Sequence, residues 1–138
     1  AELALGELGN ANELGALVGI GILLVDDSPD ILETLRELLE SEGANVTTAD
    51  GGARGIEAAE QSRFDVIVSD IGMPDIDGHK MMAEIRRGTT NAGTPSIALT
   101  GYGTLRDVEK ANNAGFTLHL RKPIDLQALI DAVSQAVR

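Results

Sequence analysis

The chain has no cysteine and no tryptophan, with one tyrosine and two phenylalanines among 138 residues. Without thiols, disulfide scaffolds, thiol nucleophiles and thiolate metal sites are excluded. Aromatics are 2% and hydrophobic residues 43%, so the core has to be built from Val, Ile, Leu and Ala. That aliphatic bias suits a parallel sheet covered by helices. Basic residues are also scarce: 11 Lys and Arg stand against 22 Asp and Glu, a formal net charge of −11. Sequence-independent binding to nucleic acid or to an anionic membrane needs basic patches and is not expected. A cation or a basic partner surface is the more natural ligand. No apolar run approaches a membrane span, and residues 1–19 contain no Lys or Arg, which argues against a secretory signal.

The length suits one ordinary domain. Residues 1–19 differ from the rest, with Gly6, Gly9, Gly15 and Gly19 and three glutamates among Leu and Ala. They read as a linker or a short docked helix. From Ile20 to Arg138 the pattern alternates strand and helix five times. Strands are predicted at Ile20–Val25, Asn45–Ala49, Val66–Ser69, Ser96–Thr100 and Leu118–Arg121. The first helix, Pro29–Ser41, puts Ile31, Leu32, Leu35, Leu38 and Leu39 on one stripe, with Gly43 as its stop. Others follow at Ala53–Gln61, at His79–Arg87, after Thr104 with Asp107 in a weak capping box, and after Asp125. Five such units make an open, doubly wound sheet, in which ligands bind beyond the carboxyl ends of the strands.

Those strand ends hold the reactive residue types. Ile22-Leu23-Leu24-Val25 runs into Asp26-Asp27, with Ser28-Pro29 offering a helix cap and first position. Adjacent carboxylates repel unless a cation sits between them, and hard oxygen ligands suggest Mg²⁺. The third strand ends at Asp70, the fourth at Thr100 and the fifth at Arg121-Lys122-Pro123. Each residue has an ordinary reading of its own. The acidic pair suits a solvated turn capping a helix. Asp70 suits a turn beside Gly72 and Pro74, Thr100 a hydroxyl bonded to backbone, and Lys122 an exposed surface lysine. Their convergence on one rim favours a functional site.

These same residues resemble the receiver domain of two-component response regulators and hybrid histidine kinases. The matching motifs are Leu24-Val25-Asp26-Asp27, Ser69-Asp70-Ile71-Gly72-Met73-Pro74 with Asp77-Gly78, Ala98-Leu99-Thr100-Gly101, and Lys122-Pro123. The resemblance covers residues 20–138 and implies an α/β, flavodoxin-like sheet of five parallel strands in the order 2-1-3-4-5 with five helices. It implies Asp70 as the phosphoacceptor and Mg²⁺ held by Asp26, Asp27, Asp70 and the Gly72 carbonyl. It also implies phosphoryl contacts from Lys122 and Thr100, and a cis peptide before Pro123. Its partners would be a histidine kinase or histidine phosphotransfer protein, in the cytoplasm, with the chain a monomer or weak dimer.

The resemblance further implies a switch in which Thr100 moves and a ring on the fifth strand turns inward. Here that ring is His119, where many receivers carry Phe or Tyr, and an inward imidazole has to satisfy its polar atoms. His79 is expected to be exposed at a helix start. Tyr102 and Gly72 flank the site, each two residues beyond a reactive one. The stretches Leu99–Gly103 and Gly115–Leu120 look most like receivers attached to hybrid kinases, with a single-domain regulator as the close alternative. A chain ending at Arg138 leaves no room for a DNA-binding output domain of its own. A non-phosphorylated interaction module of the same fold is a rival from another class. An aspartyl-phosphate phosphatase of the haloacid-dehalogenase type would want a second Asp where Gly72 stands.

Overall fold

The computed structural model describes residues 15–101 and 105–138, without the side chains of residues 105–108. Among the described residues, five strands alternate with five helices: β1 (Gly21–Val25), α1 (Pro29–Ser41), β2 (Asn45–Ala49), α2 (Gly52–Gln61), β3 (Val66–Asp70), α3 (Gly78–Arg87), β4 (Ser96–Thr100), α4 (Leu105–Ala114), β5 (Leu118–Arg121) and α5 (Leu126–Ala136). The strands form one parallel sheet in the order β2-β1-β3-β4-β5. This is the order that the resemblance implied.

Side-chain alternation along the three central strands sends residues to two cores. Ile22, Leu24, Val66, Val68, Ile97 and Leu99 face one layer, packing on Leu32, Leu35 and Leu39 of α1 and on Leu129, Ile130 and Val133 of α5. Leu23, Val25, Ile67 and Ala98 face the other, against Met81, Met82 and Ile85 of α3 and with both phenylalanines, Phe64 and Phe116. The three central strands are thus apolar on both faces, as the continuous hydrophobic runs predicted.

Several details depart from the sequence reading. In α1, Leu32, Leu35 and Leu39 fill the inward face, while Ile31 is 42% exposed. Ile31 lies roughly 100° around the helix from Leu32, on the flank of the stripe. Ser28 caps the helix through Ile31 N–H, and Gly43 ends it at φ +96°, in the left-handed region that glycine tolerates. The strand predicted from Ile20 starts at Gly21, and β3 runs one residue further than expected, through Asp70. Both α2 and α3 start one residue early, on Gly52 and Gly78. The capping residue Thr104 and the flanking residue Tyr102 lie outside the described residues.

Residues 15–19 pack against the domain as a turn. Leu17 is fully buried in the α1/α5 core, and its N–H donates to the Glu42 carbonyl at 2.9 Å. Residues 1–14 of the glycine-rich segment lie outside the described residues. At the opposite edge, the half-buried Arg86 guanidinium donates to the carbonyls of Asn91 (2.9 Å) and Gly115 (2.8 Å) and to Ser96 Oγ (3.0 Å). Burial lowers its pKa from the ordinary value, and these acceptors stand in for a carboxylate partner.

Candidate phosphoacceptor site

Parallel register brings the reactive strand ends together. Val25, the residue before Asp26, lies opposite Ser69, the residue before Asp70. Asp70 lies opposite Leu99, and Thr100 opposite Arg121. Lys122 N–H donates to the Thr100 carbonyl at 2.8 Å, which continues the β4–β5 ladder past its last register pair. The peptide between Lys122 and Pro123 is cis, as the resemblance implied.

Asp70 is buried, with 6% of its surface exposed. Its Oδ1 accepts from Lys122 Nζ at 2.9 Å and from the Ile71 N–H at 2.9 Å. Ser69 Oγ donates to the Asp70 carbonyl at 2.7 Å. One carboxylate oxygen of Asp70 is thus held by two donors. Lys122 is therefore a partner of Asp70 across 52 positions of sequence, which sets aside its reading as a surface lysine.

Asp26 is almost fully buried, and its Oδ1 accepts from the Ser28 N–H at 2.8 Å. Its Oδ2 is buried with no hydrogen-bond partner among the described residues. Burial, opposed by the Ser28 hydrogen bond and helped by the nearby Asp70 charge, raises the Asp26 pKa above its ordinary value of 3.8. An orphaned buried carboxylate oxygen is costly unless something positive meets it. One ligand atom from each of Asp26, Asp27 and Asp70 falls within 4.8 Å of the others, with Asp27 the most open of the three. Three hard carboxylate oxygens this close together, with an unpaired oxygen on Asp26, fit Mg²⁺.

A cavity of about 240 Å³ opens beside Asp70, lined among others by Gly72, His79, Thr100, His119 and Lys122. It collects every predicted site residue except the acidic pair. His119 is half-buried, and its Nδ1 is enclosed without a hydrogen-bond partner among the described residues. The difficulty of housing a polar ring at this position is thus visible in the fold. His79, expected to be exposed, is half-buried and lines the same cavity.

The glycine of the Asp77-Gly78 motif also has a physical reason. A Cβ on Gly78 would stand 2.6 Å from the Asp70 carbonyl and 2.9 Å from Ile71 Cα. Helix α3 therefore starts against the backbone that carries the reactive carboxylate. Gly78→Ala is expected to cost about 1–3 kcal/mol through this overlap, read as a lower midpoint in thermal unfolding. An unchanged midpoint would show that the backbone yields there without strain.

Sequence reasoning missed Asp75. Its Oδ1 accepts from the Gly52 N–H at 3.1 Å and its Oδ2 from the Ala53 N–H at 3.0 Å. These backbone hydrogen bonds, that of Ala53 foremost, lower its pKa below the ordinary aspartate value. The available signal was indirect: α2 opens on Gly51-Gly52, which supply no side-chain cap.

Residues 22–134 match the response regulator receiver domain family. Among curated relatives, the transcriptional regulatory protein GlrR of Escherichia coli is 38% identical over 116 residues, covering 84% of this chain and 26% of GlrR. The chain thus spans about a quarter of that relative. A 14.6 kDa protein of Leptolyngbya boryana is 38% identical over 119 residues, covering 86% of this chain and 91% of that protein. Among solved structures, the receiver domain of the sensor histidine kinase PA1611 from Pseudomonas aeruginosa, with magnesium in its active site cleft, superposes with a TM-score of 0.80. It is 32% identical and covers 87% of this chain and 98% of that one.

Proposed function

We propose, because this chain belongs to the response regulator receiver domain family, that it accepts a phosphoryl group on Asp70 and relays the event as a change of conformation. The observation that carries this reading is the buried Asp70 carboxylate, with Oδ1 held by Lys122 and the Ile71 N–H. The donor is a phosphohistidine of a histidine kinase or phosphotransfer protein. Asp70 Oδ2 attacks phosphorus, the bond to the imidazole nitrogen breaks, and its electron pair leaves with the ring. An acyl phosphate results.

Attack of one anion on another requires positive charge at the site. The Lys122 ammonium supplies part of it, already lying 2.9 Å from Asp70. The Thr100 hydroxyl, at the neighbouring strand end, donates to a second phosphoryl oxygen. Asp26, Asp27, Asp70 and the Gly72 carbonyl would hold Mg²⁺, which when bound neutralises charge on the transferring group. The magnesium in the active site cleft of the Pseudomonas receiver supports a Mg²⁺ site here, as does the unpaired oxygen of Asp26.

Thr100 and His119 are the switch residues. Both line the cavity beside Asp70, so a phosphoryl group entering it makes contacts that differ between two arrangements of that wall. The likeness to a sensor-kinase receiver supports a place within a hybrid histidine kinase. The near-complete coverage of the 14.6 kDa relative favours a second reading as a free-standing regulator.

The test is the intact mass of the protein after incubation with a small phosphoryl donor, with and without Mg²⁺. A single phosphoryl adduct that requires Mg²⁺ is expected. Its absence with both small donors and a panel of phosphorylated histidine phosphotransfer proteins would favour an interaction module that retains the fold alone.

A further inference from the structure

The metal ligands assigned above come from two separate stretches of chain. Asp26 and Asp27 follow β1, whereas Asp70 and Gly72 belong to β3 and the loop after it. Gly72 itself is exposed, at the centre of a tight turn that the Met73 N–H closes on the Ile71 carbonyl at 3.0 Å. That turn fixes Gly72 relative to β3, and the rest of the loop is anchored further along. Met73 is buried, Asp77 caps α3 through the Lys80 N–H at 2.8 Å, and Asp75 reaches across to α2.

The contact to α2 is unusual in its chemistry. A helix needs acceptors for its first N–H groups, normally from its own N-cap side chain. The N-cap here is Gly51, which provides none. Asp75, 23 positions beyond Gly52, supplies the cap and complements the positive end of the helix dipole. The approach is made close by two glycines. A Cβ on Gly52 would stand 2.4 Å from the Ile76 carbonyl, and one on Gly51 would stand 3.0 Å from Asp75 Oδ2. Helix α2 follows β2, whose last residue Ala49 pairs with Val25 and accepts from the Asp26 N–H at 3.1 Å. The Asp75 carboxylate therefore ties the Gly72 loop to the half of the sheet that carries Asp26.

We infer that Asp75 is a positioning residue for the Mg²⁺ site, setting the Gly72 carbonyl against the Asp26–Asp27 pair through the start of α2. The inference rests on the ligand reading given under Proposed function. It predicts that releasing the tether weakens Mg²⁺ binding even where helix α2 stays capped.

The test is a titration of the isotope-labelled full chain with MgCl₂ alone, followed by amide NMR shifts that include Gly72, alongside thermal unfolding. Asp75→Ala is expected to weaken Mg²⁺ affinity by about tenfold, the low end for residues that orient metal ligands, and to lower the midpoint. Asp75→Asn keeps one acceptor oxygen and recovers most of both. Gly51→Ser in the Asp75→Ala background restores a local N-cap, and the atoms that would crowd its Cβ are those of the deleted carboxylate. This double variant is expected to regain the midpoint and not the affinity. Affinity unchanged in Asp75→Ala, or regained together with the midpoint in the double variant, would reduce Asp75 to a helix cap and overturn the inference. A wild-type chain that shows no Mg²⁺ shift would instead overturn the ligand reading itself, and the positioning role with it.

Discussion

Asp70→Asn is expected to take up no phosphoryl group from any donor, and Lys122→Met to take it up about 10²–10³-fold more slowly than wild type. The two losses have different origins. Asparagine offers no anionic oxygen to attack phosphorus, so the first is absolute. Methionine matches the length of the lysine stem but removes the ammonium 2.9 Å from Asp70 Oδ1. The reaction then loses one of its pre-placed positive charges, and the three carboxylates of the rim are left facing the incoming phosphoryl group. A flexible point charge suits this task, because the ammonium follows charge from the carboxylate to a phosphoryl oxygen without a fixed fork to break. Rates come from the time course of adduct mass at saturating Mg²⁺. A wild-type rate for Lys122→Met would leave its bond to Asp70 as a ground-state contact alone.

Asp26→Asn is expected to raise the thermal midpoint of the metal-free protein by about 3–10 °C, and to abolish the stabilisation that Mg²⁺ confers on wild type. Asp26 holds its proton more tightly in the folded protein than in the unfolded chain, chiefly because burial disfavours its charge. The stability linked to this group is complete below its ordinary pKa of 3.8 and is lost as pH rises through the higher folded value. At neutral pH, without metal, the ionised carboxylate is therefore a burden. Asparagine removes the charge, keeps an acceptor for the Ser28 N–H, and turns the orphaned oxygen into a donor that neighbouring carboxylates accept. Midpoints in chelator and in Mg²⁺, for both proteins, check the prediction. A variant less stable than wild type in chelator would show that the buried charge is already compensated.

The parts of the fold that depend on long apolar runs and strand ends were legible in the sequence. Ile22–Val25 and Val66–Ser69 announce buried parallel strands, because a sheet covered on both faces leaves no polar alternation. Once the strands are located, the rule that ligands gather at their carboxyl ends selects Asp26, Asp27, Asp70, Thr100 and Lys122. The cation site is legible because like charges placed side by side demand an explanation. Asp75, Arg86 and the buried face of His79 were not legible. Asp75 caps a helix from another loop, and Arg86 satisfies carbonyls that become neighbours only after α3 and α4 pack. Neither leaves a local pattern. Ile31 was over-read because helical spacing alone does not say how wide the covered stripe is.

Leu17 bears on a different matter, the relation between descent and cooperativity. The family match begins at residue 22, yet the α1/α5 core is closed by a side chain five positions upstream that has no exposed surface. The family match and the packed core therefore do not begin at the same residue. The stretch that has to be kept intact for a stable domain is set by that packing, and it includes the turn ahead of β1.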